Sequence, residues 1–170
     1  GHEEIDTTAT EMKQILNDMM EKIRSLMTEL RPPGLDVLGL VEALRMHLRD
    51  VQKEFGIDVK LITDNESIPL EKKEALNMFR ILEEAVTNSV KHGDPKAITV
   101  SVRAYNNRLA LVVEDDGKGF DVEEARGKKS FGLFGMEERA KKCDGDLNVS
   151  SSPGRGTRIE AVVPKRTCYD

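Results

Sequence analysis

One stretch, residues 79–92, constrains the fold of this chain more than any other. At about 100° per residue it predicts a helix with one narrow apolar stripe, formed by Ala75, Phe79, Leu82, Val86 and Val90. Glu84, Asn88 and Lys91 line up on the opposite side, at spacings of four and three. Together they could hold a metal ion and the phosphates beside it, although spacing alone favours an ordinary solvated face. The glycine-rich motifs further along decide between the two.

Residues 5–30 carry a strict apolar repeat at alternating spacings of four and three. This repeat predicts a long helix that packs lengthwise on other helices, as in a coiled coil. Arg31-Pro32-Pro33-Gly34 ends it, because residues before proline are pushed out of the helical region. We therefore expect two regions: residues 1–31 as a helix that packs on another copy of itself or on a different helix, and residues 34–165 as one domain.

The rest of the chain alternates between helical and strand patterns. Asp36 is expected to cap a helix over 37–55 that ends at Gly56, and Pro69 to open a helix over 70–92. Strands are predicted at 57–63, 97–105, 108–114, 147–151 and 158–163, with a type I′ turn at Asn106-Asn107 and a short helix over 136–143. About three helices and five strands favour an α+β fold: a two-layer α/β sandwich with a mixed, mostly antiparallel sheet.

Charge and cysteine content exclude several classes of protein. The formal net charge of −5 argues against a nucleic-acid binder that works by general phosphate neutralisation. The two cysteines, Cys143 and Cys168, form no disulfide framework and suit a reducing compartment. No apolar run is long enough to span a membrane, so we expect this chain to make no membrane contact.

Three glycine motifs follow the polar face of the 79–92 helix: Asp115-Asp116-Gly117-Lys118-Gly119, Gly132-Leu133-Phe134-Gly135-Met136 and Gly154-Arg155-Gly156-Thr157. Glycine lets a backbone approach a ligand closely. None of the motifs is a Walker A loop or a dinucleotide fingerprint. Three in one domain, after Glu84, Asn88 and Lys91, favour a ligand site over chance.

Together with residues 84–92, these motifs resemble the N, G1 and G2 boxes and the terminal Gly-x-Gly-Thr of the GHKL ATP-binding superfamily. Residues 30–36, Leu-Arg-Pro-Pro-Gly-Leu-Asp, are similar to those of sensor histidine kinases that signal to LuxR/NarL-type response regulators. The resemblance runs from about Ile23 to Pro164. It implies a GHKL (Bergerat-type) ATP-binding domain that transfers the γ-phosphoryl group of Mg-ATP to a histidine, and thence to a regulator aspartate.

The resemblance also implies a role for each site residue. Asn88 would ligate Mg²⁺, and Glu84 would be a general base or orient a metal-bound water. Lys91 would pair with a phosphate, and His92 would line the same pocket. Asp115 would accept a hydrogen bond from the adenine amino group, beside Gly117 and Gly119. Residues 121–131 would form a mobile lid that includes Lys128 and Lys129. The remaining expected nucleotide contacts are Gly132, Leu133, Gly135, Met136 and Thr157, with the amides of 132–135 receiving phosphate oxygens.

Two departures from the family pattern limit what this chain is expected to do. The resemblance implies that residues 1–31 are the second helix of a dimerisation and phosphotransfer hairpin whose first helix, the phosphoacceptor, is missing from this sequence. We therefore expect ATP binding without autophosphorylation. Asp116 stands where many members have asparagine, a change that we expect to be tolerated. His47 is expected to be a surface or structural histidine.

The expected partners are the phosphoacceptor helix of the same kinase dimer and a LuxR/NarL-type regulator. No nucleic acid is expected among them. The chain would be a cytoplasmic portion of a membrane-associated bacterial sensor, homodimeric at full length. The alternatives are an anti-sigma-type serine kinase, an ATP-gated clamp of the gyrase or MutL kind, or a non-catalytic interaction module. Residues 5–36 favour the kinase hairpin over the first two, and the full set of polar residues disfavours the third.

Overall fold

The structure is a computed structural model of the 170-residue chain, and it describes residues 32, 34–127 and 131–165. The chain divides between Pro32 and Pro33 into two units, of which the second is described below. The predicted heptad helix over 5–30 lies outside the described residues, as do Lys128, Lys129 and Cys168. The domain limits of 1–31 and 34–165 stay predictions.

The described strands form a single five-stranded sheet: β1 (Asp58–Thr63), β2 (Ala97–Tyr105), β3 (Arg108–Asp115), β4 (Asp146–Ser151) and β5 (Thr157–Pro164). The strand order is β1-β2-β3-β5-β4. β1 and β2 run parallel, and the other neighbouring pairs run antiparallel. Between β2 and β3, Asn106 and Asn107 have φ angles of 46° and 59°. Both angles are positive, as a type I′ turn requires, so the predicted hairpin is confirmed.

A layer of helices covers one face of this sheet. The described helices are α1 (Leu35–Phe55), α2 (Lys72–Asn88), α3 (Val122–Gly127) and α4 (Phe131–Lys141). α2 lies in the middle of the layer and contacts α1, α4, β3 and β5. Because side chains alternate along a strand, Ile98, Val100 and Val102 of β2 all point into the core and are fully buried. The predicted two-layer α+β fold is confirmed. None of the described helices is long and apolar enough to cross a membrane.

The predicted apolar stripe holds α2 against the sheet. Ala75, Phe79, Leu82 and Val86 are buried, and Val90 is partly buried against the same core. The helix begins at Lys72 rather than directly after Pro69, because Glu71 and Glu74 form a reciprocal capping box at its start. It ends at Asn88, and a π-helical segment follows over Ser89–Gly93. The predicted helix over 70–92 therefore begins two residues later than expected, and its last turn is π-helical and not α-helical.

α1 begins two residues earlier than predicted. Gly34, with a φ angle of 83°, occupies the N-cap position without a side-chain hydrogen bond, and Asp36 lies inside the first turn. Asp36 is therefore not the N-cap. Gly39 has φ 81° and ψ 177° and interrupts the helix with a kink. Gly56 ends it as predicted, and its N–H donates to the Gln52 carbonyl oxygen.

The largest difference from the predicted elements lies between residues 121 and 141. The short helix predicted over 136–143 begins at Phe131 instead, so Gly132 and Gly135 lie inside α4. Glycine is a poor helix former, and for this reason the sequence favoured a loop there. Residues 122–127, predicted as part of a lid loop, form the helix α3.

Candidate functional site

A cavity of about 360 Å³ opens beside the end of α2 and its π-helical segment. Five residues predicted to contact a ligand line it: Asn88, His92, Gly119, Leu133 and Thr157. Apolar side chains, among them Ala85, Phe120 and Ile159, form much of the remaining wall. A largely apolar cavity with a few polar groups is the usual form of a small-molecule site.

Glu84 and Asn88, one turn apart on α2, are paired by a hydrogen bond. The Asn88 Nδ2 group donates to Glu84 Oε1 over 3.1 Å, and both side chains are only partly exposed. This bond orients the carboxamide and leaves its oxygen as the atom that can bind a cation or accept a hydrogen bond. The spacing of four residues predicted this pair, and the structure brings it together.

The start of α4 packs directly on this pair. A Cβ atom at Gly132 would lie 3.0 Å from Asn88 Nδ2 and closer still to Glu84 Oε1. Any side chain at position 132 would therefore displace the pair. The glycine is required here for the close approach of two helices and not for an unusual backbone angle.

Asp115 lies at the end of β3, beside the cavity. Its Oδ1 accepts a hydrogen bond from the Gly117 N–H over 2.9 Å. The Cβ position of Gly93, a cavity-lining residue, is 3.7 Å from the same oxygen. Asp115 itself lines an adjoining open depression, and Thr157 lines both that depression and the cavity. The Asp115 carboxylate thus lies between the cavity and the adjoining depression.

Asp116 makes different hydrogen bonds from those of its neighbour Asp115. Its Oδ1 accepts hydrogen bonds from the backbone N–H groups of Lys96 and Ala97, over 2.8 and 2.9 Å. These bonds, that from Ala97 first, lower the pKa of the Asp116 carboxyl. The side chain ties the start of β2 to the loop after β3. Asparagine also carries a side-chain oxygen that could accept these bonds, so the departure from the family pattern keeps its structural role.

Backbone hydrogen bonds join the three loops that carry Gly93, Gly117 and Gly156. Lys118 N–H donates to the Gly93 carbonyl oxygen over 2.7 Å, and Gly156 N–H to that of Gly117 over 3.0 Å. Gly119, with φ +61°, approaches the last turn so closely that a Cβ atom there would lie 2.8 Å from the Gly156 oxygen. These hydrogen bonds link the three loops to one another, and the linked loops form the frame of this side of the cavity.

Ser151 was missed by sequence reasoning, although it holds this frame together. Its Oγ accepts from the Phe120 N–H over 2.9 Å and donates to the Gly156 carbonyl oxygen over 2.7 Å. It also lies 3.2 Å from Thr157 Oγ1. A serine at a strand end carries no signal of such a role, because the bond that joins the two loops comes from Phe120, which is 31 residues away in sequence.

Not every predicted contact residue lines the cavity. Lys91 is exposed and lies outside the cavity lining. Met136 is 1% exposed and belongs to the hydrophobic core. Gly117 and Gly135 lie outside the lining as well, and Lys128 and Lys129 are outside the described residues. The roles assigned to these and to all the other site residues stay predictions.

Residues 73–167 match the family described as histidine kinase-, DNA gyrase B- and HSP90-like ATPases. In Bacillus subtilis (strain 168), the signal transduction histidine-protein kinase/phosphatase DegS is 39% identical over 139 residues, which are 79% of this chain and 36% of DegS. The sensor histidine kinase ComP of the same organism is 32% identical over 162 residues, 95% of this chain and 21% of ComP. The chain thus spans about a third or less of these relatives.

Solved structures support the fold. The histidine kinase domain of the Erythrobacter litoralis EL346 blue-light activated histidine kinase aligns with a TM-score of 0.62 at 21% identity, over 77% of this chain and 68% of that one. The blue-light activated histidine kinase itself aligns with a TM-score of 0.61 at 21% identity, over 74% of this chain and 42% of that one. The resemblance read from the motifs is confirmed. The chain therefore belongs to the family of histidine kinase-, DNA gyrase B- and HSP90-like ATPases, and residues 73–167 carry its ATP-binding domain.

Proposed function

We propose that the cavity binds ATP together with Mg²⁺, and that in the whole protein this domain transfers the γ-phosphoryl group to a histidine side chain. The observation that carries the proposal is the Glu84–Asn88 pair, held at the cavity by the close approach of Gly132. The names of the relatives, both histidine kinases, support the same reaction. In that reaction an imidazole nitrogen bonds to the γ-phosphorus. The bond between this phosphorus and the oxygen that bridges it to the β-phosphorus breaks, and ADP leaves.

At the phosphate end, Asn88 would hold Mg²⁺ through its carboxamide oxygen, since hard cations prefer oxygen ligands. When bound, the cation neutralises charge on the transferring phosphoryl group. Glu84 would orient Asn88 and a metal-bound water, a role that fits the hydrogen bond between the two side chains better than that of a free base. Lys91 and His92, on the π-helical segment, would pair with phosphate oxygens.

The first turn of α4 would receive further phosphate oxygens. The first four backbone N–H groups of a helix have no partner within the helix, and its N-terminal end attracts anions. Gly132 and Gly135 contribute no side chains to this turn. At the other end of the ligand, Asp115 would accept a hydrogen bond from the exocyclic amino group of adenine.

The remaining elements of the proposal concern the whole protein. A phosphoacceptor histidine on a helix of the same kinase dimer would be the immediate acceptor, and a LuxR/NarL-type response regulator the next. The full-length protein would be a homodimeric, membrane-associated bacterial sensor with this domain in the cytoplasm. Phosphorylation of a serine substrate, or ATP-dependent dimerisation without phosphotransfer, would favour the alternative functions within the family.

Phosphotransfer to a separately supplied phosphoacceptor helix tests the proposal. Asn88→Ala and Asn88→Asp should abolish transfer of labelled phosphate in the presence of Mg²⁺ and leave the circular dichroism spectrum unchanged. Asn77→Ala is the matched control, because Asn77 lies on the same helix and does not line the cavity. Full transfer by either Asn88 variant would mean that the metal is held elsewhere.

A further inference from the structure

Ser89, the first residue of the π-helical segment, lines the cavity. It is 5% exposed, and among the described residues its Oγ has no hydrogen-bond partner. Buried hydroxyls are nearly always paired, and a helical serine commonly bonds to the carbonyl group one turn back. Here the hydroxyl is both buried and unpaired at the wall of a cavity, which points to a ligand as its missing partner.

The second hydroxyl of the cavity wall differs in this respect. Thr157 Oγ1 lies 3.2 Å from Ser151 Oγ, so that group has a partner within the protein.

Ser89 also lies close to Asp115, on the other side of Gly93. The Cβ position of Gly93 lies 3.7 Å from Ser89 Oγ and 3.7 Å from Asp115 Oδ1. A hydroxyl and a carboxylate therefore flank the same glycine.

These two groups have complementary hydrogen-bonding abilities. An ionised carboxylate only accepts, whereas a hydroxyl also donates. A 6-aminopurine offers Asp115 an amino donor and, beside it, a ring nitrogen that accepts. A 6-oxopurine offers the reverse pattern, an acceptor next to a ring N–H. The neighbouring wall, with Ala85, Leu133 and Ile159, is apolar and adds no competing polar group.

We infer that Ser89 is a specificity-determining residue: its hydroxyl donates a hydrogen bond to the ring nitrogen beside the amino group that Asp115 reads. The two residues together select 6-aminopurine nucleotides over 6-oxopurine ones. This inference rests on the proposed function, because it assumes that the cavity holds the purine of a nucleotide.

Titration calorimetry with Ser89→Ala, on the full chain, tests the inference with ATP, GTP and the triphosphate of 1-deazaadenosine. The variant should bind ATP about three- to tenfold more weakly, the range for one neutral hydrogen bond. It should bind the 1-deaza compound as the wild type does, because that ring lacks the accepting nitrogen. The affinity for GTP should not fall, so the ratio of the affinities for ATP and GTP should become smaller. Ser101→Ala, on β2 away from the cavity, is the matched control.

The free protein provides a second measurement. Removing an unpaired buried hydroxyl should leave the thermal midpoint of nucleotide-free Ser89→Ala unchanged or raise it. A lower midpoint would mean that the hydroxyl has a partner in the free protein, and would overturn the inference. Equal loss of affinity for ATP and the 1-deaza compound, or no loss for either, would also overturn it. If the wild type binds no ATP at all, the proposed function itself fails.

Discussion

Two adjacent carboxylates, Asp115 and Asp116, show how residues of one type acquire different tasks from their surroundings. Asp115 is partly buried where the cavity meets the adjoining depression. Asp116 is exposed and accepts two backbone hydrogen bonds at the start of β2. The family motif singled out Asp115, and composition or spacing could not have separated it from its neighbour.

Asp115→Asn should weaken ATP binding by about 1.5–3 kcal/mol, because a charged acceptor for the adenine amino group is lost. This corresponds to an increase in Kd of about 10- to 150-fold in titration calorimetry. Asp116→Asn is the matched control, since asparagine keeps a side-chain oxygen for the Lys96 and Ala97 amides. Unchanged affinity in Asp115→Asn would remove this residue from base recognition.

Gly132 is a second residue whose importance comes from its contacts. Gly132→Ala should push Glu84 and Asn88 apart and reduce phosphotransfer, and the overpacking should destabilise the domain by about 1–3 kcal/mol. Gly135→Ala, one turn further along α4, is the control for stability, because no described atom beyond its own helix lies within 4 Å of its Cβ position. That variant should gain about 0.5–1 kcal/mol from better helix propensity. Urea unfolding of both variants and a phosphotransfer assay of Gly132→Ala measure these effects. Equal stability of the two variants would show that Gly132 is not required for close packing.

At the scale of elements, α2 joins the core to the site. Its apolar stripe was readable from the sequence because helical periodicity is a local property. The residues at which it begins and changes to π-helix could not be read from the sequence. They depend on short-range geometry that competes with simple periodicity, namely the capping box at Glu71 and Glu74 and the π-helical segment. The π-helical segment matters most, since it carries Ser89, His92 and Gly93 to the cavity wall.

The packing of α1 against α2 should respond to pH through His47. Its ring meets the Phe79 ring edge-on at 5.5 Å, and its Nε2 is buried without a partner among the described residues. Burial lowers the pKa of His47, against the opposing effect of the Glu83 and Asp50 carboxylates; Arg80 lowers it further. The unfolded chain therefore binds this proton more readily, and folding stability should fall as the pH drops below about 6.5.

Urea unfolding at pH 7.5 and 5.5 tests this expectation. His47→Leu removes the titrating group and should shrink the loss of stability between the two pH values. Equal losses in the wild type and His47→Leu would show that burial of this ring is not linked to proton binding.

At the scale of the molecule, the buried cluster that unites the helices with the sheet begins at Leu35 and ends at Val163. Every residue identified at the cavity also falls between these positions. We therefore expect residues 33–170, produced alone, to unfold in one cooperative transition. Their affinity for ATP should lie within about threefold of that of the whole chain, that is, within about 0.7 kcal/mol. Loss of cooperative unfolding or of ATP binding would mean that residues 1–32 complete the domain.

The sequence by itself determined the class of the fold, the hairpin at Asn106-Asn107, the buried stripe of α2 and the family of the chain. These features follow from periodicity, turn chemistry and motif spacing, which act over a few residues or are written as a fixed order of motifs. The tertiary structure alone decided that Gly132 packs on the Glu84–Asn88 pair, that Asp116 and Ser151 hold loops together, and that Ser89 is buried without a partner. Each of these depends on atoms brought together from distant parts of the chain, and no local pattern encodes such contacts.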